Sequence, residues 1–334
     1  MTRTMIGAAT MATVILSLGT AALAQDRGSL RERLRARMAQ DQSTPGDPNP
    51  TPITAPGDYR FTFTHQGIKR DYLVHVPARL AKGRAPIVMA LHGGGGGMNY
   101  QAKNYGLTEK SDTAGFIAVF PNGYSRFPDG MLATWNAGTC CGKARDNNID
   151  DVGFLKDVIA RVVRQTNGDA TRVFVTGMSN GGLMAYRLAC EAPQMIRAIA
   201  SVAGTDNTTA CAPSRPTPVI HFHARDDTHV LFNGGAGKDA FRNREAVTDF
   251  TSVPATIAKW VKLNRADPTV TTVLTVPGAR CDLHAAGRGG APVELCVTDS
   301  GGHSWPGVTS SRPGKQPSQA ISANDLMWAF FQSV

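Results

Sequence analysis

The sequence predicts an α/β chain with a mostly parallel central sheet, helices on both faces and an N-terminal antiparallel hairpin. Three observations predict it: short apolar, β-branched runs recur along the chain, helical periodicity falls between most of them, and two alternating segments precede them all. Residues 59–65 and 70–77 alternate around a short Gly-containing turn, as an antiparallel pair does. The runs 86–91, 116–120, 172–176, 197–202 and 218–222 read as strands buried on both faces, where polar alternation is not needed. Phe154, Leu155, Val158, Ile159, Val162 and Val163 repeat at helical spacing, with Asp151 placed to cap that helix. A further helix is expected from about Asn180 to Cys190. Ser322 and Asp325 resemble a capping box opening a last apolar helix through Trp328 and Phe331.

The flanks have a different character. Residues 1–24 combine Arg3, an apolar stretch interrupted by Thr10, Thr13, Ser17 and Thr20, and the small-residue ending Ala22-Leu23-Ala24, which reads as a cleavable secretory signal. The expectation is a secreted or periplasmic protein, with no stable membrane insertion. Residues 25–57 carry a basic run from Arg27 to Arg37 and then a Pro/Thr-rich segment that cannot bury a core, so a disordered linker is expected there. Residues 58–334 suit a single domain. The formal charge of +9 comes without aromatic-basic interleaving or a nucleic-acid motif, so a nucleic-acid partner is not expected, and no obligate protein partner is indicated.

Six cysteines behind an export signal point to disulfides. Cys190 and Cys211 lie either side of a predicted strand, and Cys281 and Cys296 flank a hairpin or loop; these are the preferred pairs. Cys140 and Cys141 remain, either as a vicinal pair or bridged elsewhere. No Cys/His spacing of the usual zinc kind occurs, so no metal site is expected.

The chemistry centres on Gly177-Met178-Ser179-Asn180-Gly181, directly after the strand 172–176 and directly before a helix. A sharp strand-to-helix turn forces a nucleophile into a strained conformation, flanking glycines make room for it, and the helix N-terminus favours negative charge beside Ser179. A serine hydroxyl needs a base, and the base needs an orienting acid. Carboxylates next to the following core strand lie in Arg225-Asp226-Asp227. Asp227 is favoured, with Asp226 as a surface neighbour and Asp206 fitting less well. Of the eight histidines, His303 has the better setting, in a glycine-bounded loop after the strand 293–297; His284 reads as a polar-loop residue, and His221, His223 and His229 as neighbours of the acid. The loop His92-Gly93-Gly94-Gly95-Gly96-Gly97 can bring a backbone N–H to an oxyanion, with Gly94 favoured and Asn180 as second donor, each worth about 2–4 kcal/mol when well placed. The Gly-Lys-Ser/Thr ending and the dinucleotide glycine spacing are both missing, so a phosphate loop is not supported.

Taken together, Leu91-His92-Gly93-Gly94, Trp135-Asn136-Ala137-Gly138 with Cys140-Cys141-Gly142, Asp150-Asp151-Val152-Gly153-Phe154, Gly177 to Gly182, and Gly302-His303-Ser304-Trp305-Pro306-Gly307 resemble the polyhydroxybutyrate depolymerase and feruloyl esterase group of secreted α/β-hydrolases. That group's acid sits in a His-Gly-x-x-Asp loop, which aligns with His223 and Asp227; Ala224 stands where the glycine is, and Thr228-His229 where a proline and an aliphatic residue are common. The resemblance implies the α/β-hydrolase fold and a serine-dependent carboxylic ester hydrolase acting through an acyl-enzyme, with no cofactor or metal. Its substrates would be hydroxyalkanoate oligomers or aromatic and acetyl esters of plant polysaccharide. A serine peptidase of the same fold and a non-catalytic binding protein are the alternatives. Trp305 and Trp135 are candidates for the pocket wall or for ordinary packing, the insertion 124–148 is a candidate lid, and Asp150-Asp151 is expected to cap a helix and brace a loop.

Overall fold

The computed structural model describes residues 51–80, 83–127, 129–240, 248–309 and 316–334. The chain divides into two units, Met1–Pro48 with Gln66–Ile68 and Asn49–His65 with Lys69–Val334, and every site residue belongs to the second. Of the first unit only Gln66–Ile68 are described; Gln66 and Gly67 both have positive φ. The expected signal, and the expected linker as far as residue 50, lie outside the described residues. Ile53 is already part of the folded unit: its N–H donates to the Gln165 carbonyl at 2.7 Å and its side chain packs on the core. Residues 51–57 of the expected linker are thus part of the described fold, with Ile53 covering apolar surface there.

Among the described residues, ten strands form one sheet in the order β1-β2-β4-β3-β5-β6-β7-β10-β9-β8. They are β1 Gly57–His65, β2 Ile68–Val76, β3 Ala85–Leu91, β4 Ile117–Pro121, β5 Gly168–Met178, β6 Ala198–Val202, β7 Val219–Ala224, β8 Ala266–Val276, β9 Ala279–Ala286 and β10 Val293–Thr298. β4, β3, β5, β6, β7 and β10 run parallel. β2 is antiparallel to β4, and β9 and β8 close the other end as antiparallel strands. This is the expected mostly parallel sheet; β9 and β10 form a hairpin between Cys281 and Cys296, where the sequence left a hairpin or a loop open, and β8 was not contained in the sequence reading. β8 is rich in β-branched residues, which favour extended backbone, but nearly all of it is exposed, so it lacks the apolar run by which the other strands announce themselves. The hairpin corrects the reading of His284, which lies on β9 opposite Val293 of β10, not in a loop.

Both faces of the parallel strands are buried. Ile87, Met89, Ile117, Val119, Val173 and Val175 point into one core, shared with helices α4 (Asp151–Gln165), α5 (Asn180–Glu191) and α6 (Val253–Leu263). Val88, Ala90, Ala118, Phe120 and Phe174 point into the other, shared with α1 (Met98–Asn104), α2 (Leu107–Ala114) and α7 (Ala323–Ser333). The short helix α3 (Gly142–Asp146) lies in the insertion between β4 and α4. Two-residue periodicity thus supplies two cores from one set of strands. Phe154, fully buried on α4, shows the scale: truncation to Ala should cost about 3–5 kcal/mol.

The α4 cap differs from expectation by one residue. Asp150, not Asp151, is the N-cap, its Oδ1 accepting from the Gly153 N–H at 2.8 Å. Asp151 is completely buried and braces the loop instead, accepting from the Asn136 N–H at 2.8 Å and from Arg70 Nη2 at 2.6 Å. Ser322 caps α7 by accepting from the Asp325 N–H at 3.2 Å, as the capping-box pattern implies. The structure joins Cys190 to Cys211, Cys281 to Cys296 and Cys140 to Cys141. Cys281 and Cys296 are direct cross-strand partners on β9 and β10. No helix among the described residues is long and apolar enough to cross a membrane.

Candidate active site

Ser179 sits between the end of β5 and the start of α5 with φ 53° and ψ −120°, a left-side conformation that side chains rarely adopt and that costs about 1–3 kcal/mol. Two bonds hold it there: its N–H donates to the Val202 carbonyl at 2.8 Å and its own carbonyl accepts from Leu183 at 2.9 Å. Glycine is required on both sides, since a Cβ on Gly177 would overlap the Gly181 backbone and one on Gly181 would overlap the Leu91 carbonyl.

The glycine loop after β3 lies against this turn. A Cβ built on Gly93 would stand 3.6 Å from the Ser179 Cβ, and one on Gly94 would stand 3.5 Å from the Asn180 Cβ. His92 anchors the loop from inside: its Nδ1–H donates to the Gly93 carbonyl and its Nε2 accepts from the Gly123 N–H, both at 2.9 Å. Complete burial lowers this imidazole to about 4, and the Arg70 charge adds to the effect, so the ring is neutral and its tautomer is fixed. The Asn180 side chain is consumed in positioning, accepting from the Trp135 N–H at 2.7 Å and donating to the Trp135 carbonyl at 3.0 Å. Its backbone N–H, in the first turn of α5, is one of those for which the helix has no internal acceptor.

Asp227 and His303 come from the loops after β7 and β10 and meet at the same carboxyl edge of the sheet. His303 Nδ1 and Asp227 Oδ2 are 2.8 Å apart. The other carboxylate oxygen accepts from the His229 N–H at 2.7 Å and the Val230 N–H at 3.1 Å, while His223 Nε2 lies 3.4 Å from Oδ2. Burial pushes the Asp227 carboxyl up, but the His303 charge and the hydrogen bonds from His223 and His303 outweigh it and hold the group well below the usual carboxylate range. The His229 ring stacks on His303 at 4.4 Å.

Of the residues singled out in sequence, Asp227 and His303 are brought together, and Gly94 and Asn180 adjoin each other beside Ser179. Asp206 is excluded from the site; it accepts from Trp260 Nε1 and pairs with Lys259, each at 2.8 Å. Trp135 and Trp305 require correction as pocket walls, because both are fully buried. Trp135 supports the glycine loop by donating to the His92 carbonyl at 2.9 Å, and Trp305 stacks on Tyr105 and donates to Asn324 at 3.0 Å. Asp226, set aside in sequence as a surface neighbour, has a structural part: its carboxylate accepts from the Gly302 N–H at 2.8 Å and thereby braces the histidine loop.

Residues 74–254, more than half of the 334, match the dienelactone hydrolase family. The chain belongs to the dienelactone hydrolase family. It is similar to feruloyl esterase B of Piromyces equi, 30% identical over 57% of this chain and 34% of that protein, and to a bifunctional acetylxylan esterase/xylanase of Neocallimastix patriciarum, 27% identical over 70% of this chain and 33% of that protein. The chain spans about a third of the length of these two relatives. The solved acetyl xylan esterase from Aspergillus awamori superposes with a TM-score of 0.54 at 16% identity, covering 79% of this chain and 94% of that chain, a likeness of fold. The dienelactone hydrolase match includes Ser179 and Asp227, and His303 lies beyond it.

Ligand atoms of Asp227, His229 and His303 lie within 4.8 Å of one another, close enough for a cation. The Asp227 oxygens, however, already accept the hydrogen bonds described above, so a cation would have to displace them. The clusters containing Cys190 with Cys211 and Cys281 with Cys296 present disulfide sulfurs, not thiolates. For this member of the dienelactone hydrolase family, the chemistry on offer is an oriented imidazole, a serine in a strained turn and backbone donors beside it.

Proposed function

We propose that this chain is a carboxylic ester hydrolase that works through an acyl-enzyme on Ser179. The observation that carries the reading is the 2.8 Å contact between Asp227 and His303, which share the sheet edge with the serine turn. In this reading Asp227 keeps the proton of His303 on Nδ1, leaving Nε2 to take the Ser179 proton as Oγ attacks the ester carbonyl. The oxyanion accepts from the backbone N–H groups of Gly94 and Asn180, the alcohol leaves with the proton from His303, and water repeats the sequence to free the acid.

The similarity to feruloyl and acetylxylan esterases favours aromatic or acetyl esters of plant polysaccharide, and the motif resemblance extends the range to hydroxyalkanoate oligomers. Residues 1–24 and the three disulfides support a secreted or periplasmic enzyme. The test is a matched panel of p-nitrophenyl esters, methyl ferulate, acetylated xylan, hydroxybutyrate oligomers and a peptide amide, run on wild type and Ser179→Ala. Wild type should cleave at least one ester class and the variant should not. Peptide cleavage at rates comparable with the esters would reject the esterase reading, and equal activity in both proteins would reject Ser179 as nucleophile.

A further inference from the structure

Behind Asp227 lies a buried polar chain that the reaction as written does not use. Tyr186 Oη is 2.9 Å from His221 Nδ1, His221 Nε2 is 3.1 Å from His223 Nδ1, and His223 Nε2 is 2.8 Å from the Val230 carbonyl and 3.4 Å from Asp227 Oδ2. Tyr186 and both histidines are buried, and the two rings lie parallel with centroids 5.4 Å apart. The arrangement follows from two periodicities. His221 and His223 are alternate residues on β7 and share a face, while Tyr186 lies seven residues after Ser179, two turns along the helix that the serine begins.

With His223 as a neutral ring, the partners dictate every proton in this chain. The Val230 carbonyl can only accept, so His223 must carry its proton on Nε2. A neutral imidazole has one N–H, so His223 Nδ1 must accept, which requires the proton of His221 on Nε2. His221 Nδ1 then accepts, and only the Tyr186 hydroxyl can donate to it. Burial holds His221 well below its ordinary range and holds the Tyr186 phenol well above its own, so both groups are in the required state. His223 Nε2 lies nearer the Val230 carbonyl, at 2.8 Å, than Asp227 Oδ2, at 3.4 Å.

We propose that Tyr186, His221 and His223 form a tautomer-locking chain that orients Asp227 toward His303, which makes them positioning residues for the reaction. The inference rests on the Ser179, His303 and Asp227 reading above. The chain ties the nucleophile's own helix to the acid loop through hydrogen bonds of one direction. His223 anchors the Val230 turn whose N–H holds Asp227 Oδ1, and it directs a donor at Oδ2, the oxygen that His303 uses. Among the described residues, the groups facing the chain are Asp227, the Phe232 ring edge, Trp260 against Tyr186, and the nearby Asp206; those facing His303 are Asp227 and His229.

The experiment has two readouts on the full chain. Histidine ¹⁵N NMR at pH 7 without substrate should show His221 and His223 each protonated on Nε2 alone. A proton on His221 Nδ1, or two protons on His223, would overturn the proposal. This readout does not need ester hydrolysis, so it decides the chain even if the esterase reading fails.

The second readout is the pH profile of kcat/KM on p-nitrophenyl acetate. His223→Phe keeps an aromatic ring but removes the donor, leaving more negative charge on Asp227 to hold the His303 imidazolium. The acid limb should therefore move up by about half a pH unit, with kcat reduced about tenfold and KM little changed. Tyr186→Phe should shift the limb in the same direction, and adding it to His223→Phe should change nothing further, because the chain is already broken. His223→Gln, which retains a donor, should restore the limb. An unmoved limb in folded His223→Phe, or independent additive effects, would mean that these residues only pack.

Discussion

Asp227→Asn isolates what the carboxylate does, because the structure dictates how the amide must sit. In the native chain Oδ1 accepts from the N–H groups of His229 and Val230 at 2.7 and 3.1 Å, and Oδ2 meets His303 Nδ1 at 2.8 Å. An amide has one oxygen to offer in place of two. The backbone groups cannot change role, so the carbonyl must serve them and the NH₂ must turn toward His303. His303 then has to accept at Nδ1, which moves its own proton to Nε2, the nitrogen that should take the proton from Ser179. The general base is thus present in the wrong tautomer. Loss of the correct tautomer costs a serine hydrolase about ten-thousand-fold in kcat, about 5 kcal/mol of barrier. Steady-state kinetics on p-nitrophenyl acetate, with circular dichroism to establish folding, should show kcat falling on that scale while KM changes little. A folded variant that retains more than about a tenth of wild-type kcat would refute the reasoning, since no tautomer-dependent step would then control the rate.

Gly177→Ala would place a methyl group onto the Gly181 backbone, which cannot rotate away, so thermal denaturation should reveal a loss of about 2–3 kcal/mol; an unchanged midpoint would show that the turn can relax. His65 is 2.8 Å from Asp157 and 3.2 Å from Asp150; burial alone would lower its pKa, but hydrogen bonds and charge from these two carboxylates raise it from 6.5 to about 9. The folded state therefore keeps a proton that the unfolded chain releases, so this contribution to stability is complete below about 6.5 and is lost as pH rises through about 9. Urea midpoints for His65→Gln should fall less steeply than those of wild type across that window, and identical slopes would reject the assignment. Peptide mapping without reductant should recover Cys190 with Cys211, Cys281 with Cys296 and the vicinal Cys140-Cys141. Removing the Cys281–Cys296 bridge by paired Ser substitutions should cost about 3 kcal/mol, and free thiols at those positions in the native protein would contradict the structure.

Much of the site was legible because the elements that build it are local. The β5 strand, the Gly177 to Gly181 turn and the α5 helix are consecutive in the chain, and the glycines declare a backbone geometry that other residues cannot adopt. The parallel strands carry their burial in composition, since a strand covered on both faces needs no polar alternation. The expectation that Asp227 would partner His303 came from their order along the chain and from the resemblance of the surrounding motifs; the distance between them could not be read from sequence. Local signals failed where a role depends on what the far side of the molecule presents. Asp150 and Asp151 are adjacent and chemically identical, yet one caps a helix while the other is buried against Arg70, because only the fold brings β2 beneath α4. Trp135 and Trp305 have the size and polarity of pocket residues, and packing assigned both to the interior. β8 was missed because it is held by cross-strand pairing with β9 and has no apolar run of its own. The directional chain from Tyr186 to Asp227 is of the same kind: the alternation of His221 and His223 is visible in the sequence, but the proton on each ring is decided by a carbonyl and a phenol that tertiary structure alone sets beside them.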